Sequence, residues 1–111
     1  MRGMFDADPQ LGELVDAAVL DPALARKLVE ADPTLLDRRN SLGETALHFL
    51  AVENYGGGVQ ALIDLGASVH VTNQFGATPL EEAMSIDAAD AVAVLIRAGA
   101  VVPDPGREAG G

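Results

Sequence analysis

Apolar residues recur along this chain at the spacing of amphipathic helices, in three successive pairs of segments. Polar, glycine-containing stretches separate the pairs. The pattern predicts three helical hairpins, each with an apolar face to bury. The positions that carry it are Leu11, Leu14, Val15 and Ala18; Leu24, Leu28 and Val29; Leu47, Leu50 and Ala51; Leu62 and Ile63; Leu80, Ala83 and Met84; and Val92, Leu95 and Ile96.

The second and third hairpins are copies of one sequence unit. Aligning residues 43–70 with residues 76–103, an offset of 33, gives nine identities in 28 positions. Random pairing at this composition would give about two or three. The offset therefore marks an internal repeat. The identical pairs are Gly43/Gly76, Thr45/Thr78, Leu47/Leu80, Val59/Val92, Leu62/Leu95, Ile63/Ile96, Gly66/Gly99, Ala67/Ala100 and Val69/Val102.

Local signals predict where the helices of these copies begin. Thr78 is a good N-cap, Pro79 suits the first helical position, and Glu81 completes a capping box. Asp87 is predicted to cap the second helix of the last hairpin. The cluster Gly56–Gly58 predicts a flexible turn between the helices of the second hairpin, since no Lys or Ser follows to make a phosphate-binding loop.

The first hairpin is a weaker copy, with Asp8-Pro9 and Asp21-Pro22 each supplying a cap and a first helical residue. Residues 68–76 are too polar and β-branched for a helix, which predicts an extended arm that turns at Asn73-Gln74. The resulting division is an N-terminal arm over 1–7, a repeat domain over 8–102 with repeats 8–39, 40–72 and 73–102, and a flexible tail over 103–111.

Period and motifs together resemble the ankyrin repeat. The resemblance is carried by Gly43–His48 and Gly76–Leu80, and by Leu62–Ala67 and Leu95–Ala100. It implies an all-α, ankyrin-like solenoid of about three helix-turn-helix repeats with short extended β-arm connections. One hairpin cannot bury its apolar face alone, so the repeats must stack.

Charge and composition exclude several classes of protein. The chain has a net charge of -10 and no cysteine, which argues against nucleic-acid or anionic-lipid binding and excludes disulfides and thiol catalysis. No apolar run approaches the roughly 20 residues of a bilayer span. No export signal is seen at the N-terminus, so a cytoplasmic location is expected. No cofactor is implied. The paired arginines Arg38-Arg39 are interpreted as solvated surface charge.

Candidate chemistry is sparse. His48 and His70 are the only imidazoles, and the resemblance implies that His48 forms a hydrogen bond between repeats. Capping accounts for several of the carboxylates among Glu44, Glu81, Glu82, Asp87 and Asp90. These residues do not assemble a recognisable active site, so we expect the protein not to be an enzyme.

Protein binding is better supported, because the resemblance implies a binding surface along the arm tips and the adjoining face of each first helix. Leu42 and Phe75 lie one repeat apart, so stacking should place them side by side, about 10 Å apart. Glu44, Glu53 and Asn73 are expected to form a polar rim around them. The predicted binding residues are Ser41, Leu42, Glu44, Val52, Glu53, Tyr55, Gln74, Phe75, Ala77, Ser85 and Ile86.

Three functions compete at this stage. The first is a non-enzymatic protein–protein interaction module that presents a rigid repeat surface to a protein partner. The second is an immunity or inhibitor-type protein that neutralises a basic partner such as a toxin. The third is an unrecognised enzyme or ligand-binding role centred on His48 or His70. In addition, the segment 88–98 looks apolar nearly all round, which suggests contact with a partner or self-association through the C-terminal helix.

Overall fold

A computed structural model describes residues 8–103, which form three helical hairpins and no β-strand. The all-α repeat solenoid is therefore confirmed, and its arms are hairpin-shaped loops rather than strands. The predicted N-terminal arm, 1–7, and all but the first residue of the tail, 104–111, lie outside the described residues. The helices are α1 (Pro9–Leu20), α2 (Pro22–Ala31), α3 (Ala46–Val52), α4 (Gly56–Asp64), α5 (Pro79–Ser85) and α6 (Ala89–Arg97), with a 3₁₀ turn at Pro33–Leu36.

The hairpins stack so that like helices meet. Helix α3 packs on α5 and α4 packs on α6, while α1 packs against both α3 and α4. Full burial of each leucine in the resulting core stabilises the fold by roughly 1.5 to 3 kcal/mol. The leucines with the least exposure are Leu11, Leu14, Leu35, Leu47, Leu50, Leu62, Leu80 and Leu95.

Some residues of the predicted apolar faces are not buried. Leu24 on α2, Met84 on α5 and Ile96 on α6 are exposed. Met84 and Ile96 belong to the last hairpin, whose outer side has no further hairpin over it within residues 8–103. Helix α6 also buries only one side, through Ala91, Val94 and Leu95. Contact of its other side with a partner or a second copy of the chain stays a prediction.

The N-caps predicted for α1, α2 and α5 are confirmed. The Thr78 hydroxyl accepts from the Glu81 amide at 3.1 Å, and the Glu81 carboxylate accepts from the Thr78 amide at 2.9 Å. Asp8 and Asp21 accept from backbone amides of α1 and α2, and Thr45 caps α3. Asp32, which ends α2, also caps the 3₁₀ turn that follows. Each cap satisfies an amide that the helix itself leaves unpaired.

Two predictions about loops are wrong. Asp87 does not cap α6; instead the Asn54 side chain, one repeat earlier, accepts from the Ala91 amide in the first turn of that helix at 3.0 Å. Gly56–Gly58 is not a flexible turn but the first turn of α4. Gly58 is buried there, and a Cβ would lie 3.2 Å from Leu50 and 3.3 Å from Val19. The glycine allows close packing between helices.

The arm loops of the two repeats have the same construction. Asn73 accepts from the amides of Phe75 and Ala77 at 2.9 and 3.0 Å. Asn40, 33 residues earlier, accepts from the amides of residues 42 and 44 at 2.9 and 3.0 Å. Gly43 and Gly76 then take φ values of 76° and 78°. The turn therefore spans Gln74–Gly76, one residue later than predicted, and an asparagine side chain holds it.

Gly43 and Gly76 give a matched test of stacking, because their backbone angles agree and their surroundings differ. A Cβ on Gly43 would lie 2.8 Å from the Gln74 backbone nitrogen, whereas a Cβ on Gly76 meets nothing within 4 Å. Gly76→Ala should cost about 1 to 2 kcal/mol from its positive φ alone. Gly43→Ala should cost roughly 1 to 3 kcal/mol more, because it displaces a bonded backbone amide of the next repeat. Urea unfolding measures the free energy of unfolding of both variants. If both lose the same amount, the arm loops of the two repeats are not in close contact.

Asn54 and Asp87 form a second matched pair, 33 residues apart with φ values of 60° and 57°. Asn54→Gly should destabilise the protein by about 1 kcal/mol relative to Asp87→Gly, because it removes the side-chain acceptor of the Ala91 amide in the next repeat. Glycine accommodates the positive φ at both sites, so its effect on the unfolded chain cancels. Equal midpoints in thermal unfolding would contradict the capping role.

Candidate functional site

His48 joins two repeats, and both of its ring nitrogens form hydrogen bonds within the protein. The Thr45 amide donates to Nδ1 at 3.3 Å, and Nε2 donates to the Ala77 carbonyl, in the next arm loop, at 3.0 Å. Burial lowers the pKa of His48, despite the hydrogen bond to Ala77 and the nearby charge of Glu44. The ring is therefore neutral, with its proton on Nε2. His70 is exposed on a separate turn.

The arm loops are also tied to each other directly. The Gln74 amide donates to the Leu42 carbonyl at 3.0 Å. Arg39 donates to the Gly43 carbonyl at 2.9 Å and to the Thr72 carbonyl of the following arm. Arg39 is exposed, as expected for a solvated surface charge, and in addition it links two arm loops. Arg38 is half-buried, and its guanidinium pairs with Asp8 and Asp32 in the first hairpin.

These bonds place two apolar side chains at neighbouring arm tips. Phe75 is 73% exposed and Leu42 is 40% exposed. Ser41 and Gln74, beside them, are also exposed, whereas Ala77 is half-buried. We call Ser41, Leu42, Gln74 and Phe75 the arm-tip patch. Its backbone is fixed by the asparagine-held turns, so the patch is preformed.

The predicted polar rim of this patch is largely wrong. Glu44 and Asn73 are each only 6% exposed. The side-chain Nδ2 of Asn73 donates to the Glu82 carboxyl at 3.0 Å and lies 3.5 Å from the Glu44 carboxylate. The side chains of Glu44 and Asn73 therefore lie at the junction between the stacked arm loops. Polar groups enclosed there need hydrogen-bond partners within the protein.

Glu44 and Glu82 form a carboxyl pair at this junction. Burial, together with the neighbouring Glu44 carboxylate, raises the pKa of Glu82 to about 7. Oε1 of Glu82 is buried and has no hydrogen-bond partner among the described residues. A negative charge on that oxygen would be neither solvated nor paired, which favours the protonated form of Glu82.

The remaining predicted binding residues lie at the opposite end of the first helices. Val52 and Glu53 end α3 and are half-buried, while Ser85 and Ile86 end α5 and are exposed. Tyr55 follows in the loop and is 46% exposed. Seven residues of helix separate this end from the arms by about 10 Å. The structure therefore divides the predicted surface into two separate areas.

A cleft of about 190 Å³ opens at this second end. Helix α1, which the sequence did not assign to the binding surface, forms one wall. Its contribution was missed because the first repeat aligns poorly with the others; the exposed Leu20 directly before Asp21-Pro22 was the available signal. The lining residues are Val15, Asp16, Val19, Leu20, Phe49, Leu50, Glu53 and Tyr55.

None of the helices within residues 8–103 has both the length and the apolar character needed to cross a bilayer.

Comparisons with known proteins agree with the fold. The model of the ankyrin repeat matches residues 42–74. The serine/threonine-protein kinase VIK of Arabidopsis thaliana is 36% identical over 63 residues, which are 57% of this chain and 14% of the kinase. Neurogenic locus notch homolog protein 1 of Homo sapiens is 30% identical over 76 residues, which are 68% of this chain and 3% of that protein.

A solved structure is also similar. It contains a predatory endopeptidase from Bdellovibrio bacteriovorus in complex with an immunity protein, and one of its chains superposes with a TM-score of 0.67. The sequence identity is 27%, over 76% of this chain and 44% of that chain. This chain therefore spans less than half the length of each of these proteins.

The carboxyl pair predicts an unusual pH dependence of stability. The pKa of Glu82 is higher in the folded protein, about 7, than its ordinary value of 4.5, so its contribution is complete below pH 4.5 and is lost as the pH rises through 7. Glu82→Gln, which stays neutral, should be more stable than the wild type by roughly 1 to 2 kcal/mol at about pH 8 and nearly equal at about pH 4.5. Glu82 is half-buried, so solvent screens part of this electrostatic effect.

Chemical unfolding at several pH values measures this difference, and the contribution of His48 cancels between the two proteins. Glu30→Gln, at an exposed site on α2, is the control and should show little pH-dependent change. If the Glu82→Gln difference were the same at both ends of the pH range, the raised pKa of Glu82 would be disproved.

Proposed function

We propose that this chain, an ankyrin-repeat protein, is a protein–protein interaction module that acts without enzymatic activity and binds its partner through the arm-tip patch. The observation that carries the proposal is the exposure of Phe75 and Leu42 on loops that backbone hydrogen bonds hold in place. Aromatic and aliphatic side chains exposed together are typical of the centre of a protein interface.

Rigidity supports this role. The arm loops need no ordering when a partner binds, so little conformational entropy is lost and a small surface can be effective. Asn40 and Asn73 hold the two turns, and the Leu42–Gln74 bond fixes their relative position. The partner would therefore meet a surface whose shape is already set.

A second candidate is an immunity or inhibitor-type protein. A net charge of -10 favours a basic partner, because opposite charge accelerates association and rejects acidic competitors. The similar solved structure contains an immunity protein in complex with an endopeptidase, which is consistent with this reading. Binding to such a partner would weaken as salt is added.

The enzyme or ligand-binding alternative has less support. His48 is fully enclosed and both of its nitrogens are bonded within the repeats. A general base needs a lone pair that can reach a substrate proton. His70 is exposed and stands apart from that junction.

Self-association through the C-terminal helix is a further proposal. The outer side of the last hairpin exposes Met84 and Ile96, and Val101 and Val102 follow without a cover among the described residues. A second copy that packs here would bury these side chains. Sedimentation at increasing protein concentration would detect it as a rise in mass, and Ile96→Glu should abolish that rise.

The binding proposal is tested by affinity capture with quantitative mass spectrometry. Leu42→Ala combined with Phe75→Ala should reduce the recovery of a specific partner by roughly tenfold or more, as expected for interface side chains worth at least about 1.4 kcal/mol. Ile96→Ala combined with Val101→Ala is the matched control, because these residues are 45% and 73% exposed and lie elsewhere.

The control variant should recover the partner at the wild-type level. If both variants capture it equally well, the arm-tip patch is not the binding surface. Loss only in the control would instead place the partner on the last hairpin. Steep weakening of the captured complex with salt would favour the immunity-type function over a general adaptor.

A further inference from the structure

The arm loop that presents Phe75 is held by one side chain that also reaches into the junction between the arms. Oδ1 of Asn73 accepts from the Phe75 amide at 2.9 Å and from the Ala77 amide at 3.0 Å. Nδ2 of the same side chain donates to Oε2 of Glu82 at 3.0 Å. Because Asn73 is buried, its orientation depends on these partners. The shape of the loop is therefore coupled to the position of the Glu82 carboxyl group.

The preceding arm loop provides an internal comparison, because it has the same turn without a counterpart of this carboxyl group. Asn40 accepts from the Leu42 amide at 2.9 Å, which repeats the bond to Phe75. The residue 33 positions before Glu82 is the buried Phe49. The third repeat therefore has an ionisable side chain where the second repeat has an apolar ring.

An ionised Glu82 is poorly accommodated in this position. Oε1 is buried and has no hydrogen-bond partner among the described residues, and Glu44 adds a second carboxylate beside it. The bond from Asn73 favours the ionised form, but burial and the charge of Glu44 outweigh it, so the pKa of Glu82 rises to about 7. Because Glu82 is half-buried, rotation of its side chain into water relieves both costs. That rotation breaks its bond to Asn73.

Glu44 is the charged group that acts on Glu82 from the surrounding elements within residues 8–103. On α3, which packs against α5, the titratable side chain is His48, and it is neutral and bonded within the repeats. The other charged side chains on α5, on α6 and in the adjoining loops are Arg39, Glu81, Asp87, Asp90 and Arg97. Arg39 bridges the arms and Glu81 belongs to the capping box, while the remaining three are exposed.

We propose that Glu82 makes the arm-tip patch responsive to pH: the protonated side chain holds Asn73 and the Phe75 loop in their present shape, and the ionised side chain releases both. The patch then binds its partner more weakly in mildly alkaline than in mildly acidic solution. The effect on the loop stands on the geometry of the junction, whereas the effect on binding rests on the function proposed above. The Leu42 loop keeps its shape in both conditions.

NMR of the full-length protein tests the coupling without a partner. The carboxyl carbon shift of Glu82 reports its ionisation, and the exchange rates of the Phe75 and Leu42 amides, corrected for the intrinsic effect of pH, report the two loops. Between about pH 5.5 and about pH 8.5, protection of the Phe75 amide should fall about fivefold to tenfold, the loss of roughly one hydrogen bond. The midpoint should coincide with that of the Glu82 carboxyl group, and protection of the Leu42 amide should stay constant.

Three neutral substitutions identify the titrating group. Glu82→Gln keeps an acceptor for Asn73 without a charge, so it should abolish the pH response of the Phe75 amide. Glu81→Gln, the matched control, removes a charge one position away, retains the capping box and should leave the response unchanged. Glu44→Gln should move the midpoint to lower pH without removing the response, because burial still opposes ionisation of Glu82. Circular dichroism establishes that each variant is folded.

Affinity capture on either side of the Glu82 pKa, at about pH 6 and about pH 8, tests the consequence for binding. The wild type should recover less of the specific partner at the higher pH, whereas Glu82→Gln should recover equal amounts at both. Recovery that depends on Leu42 and Phe75 but not on pH would overturn the regulation of binding. A loop that responds to pH, with recovery that depends on neither residue, would instead overturn the function proposed for the patch and leave the coupling intact.

The coupling itself is overturned by any of three results. Protection of the Phe75 amide could stay constant while the Glu82 carboxyl group titrates. The Glu82→Gln variant could keep the pH response of the wild type, which would assign the response to another group. The Leu42 amide could respond as strongly as the Phe75 amide, which would make the change a general loosening of the arms.

Discussion

A pair of short helices cannot bury its own apolar face, and every other feature of this protein follows from that constraint. Each hairpin must use its neighbour to complete its core, so neighbouring hairpins have to meet in one register. Polar links fix the register of the second and third hairpins, and three of those found within residues 8–103 involve a backbone group of the third hairpin. They join His48 to Ala77, Leu42 to Gln74, and Asn54 to Ala91. Each link also satisfies a backbone group that stacking would otherwise leave unpaired.

The same register produces the exposed surfaces. Because the arm loops are bonded to each other, Leu42 and Phe75 stand at adjacent tips instead of closing over the core. The polar residues that sequence reasoning placed around them, Glu44 and Asn73, are drawn inside instead. There, burial of Glu82 beside the charge of Glu44 destabilises the ionised form of Glu82. The inward-facing polar groups thus contribute to stability, and the outward-facing apolar groups stay exposed at the arm tips.

Sequence reasoning recovered the repeat because its signals are local: the 33-residue offset, the threonine caps and the glycines at positive φ. It misplaced features that depend on contacts between repeats. Asp87 has the composition of a cap, yet the cap of α6 comes from Asn54, which lies in the preceding hairpin. Asn40 and Asn73 also share the offset, but this pair fell just outside the aligned window. The cleft beside Tyr55 depends on the length of α1, which the repeat period does not encode.

The central claim is that the hairpins form one rigid unit through their inter-repeat bonds. Native-state hydrogen exchange of the Gln74 and Ala91 amides tests it most directly, because both donate across a repeat boundary. The account predicts that these amides exchange only with global unfolding, with the same free energy as core amides of α4 and α6. If the Gln74 and Ala91 amides exchange as fast as exposed loop amides while the helix cores stay protected, the inter-repeat bonds do not hold the hairpins as one unit. That result would contradict the claim.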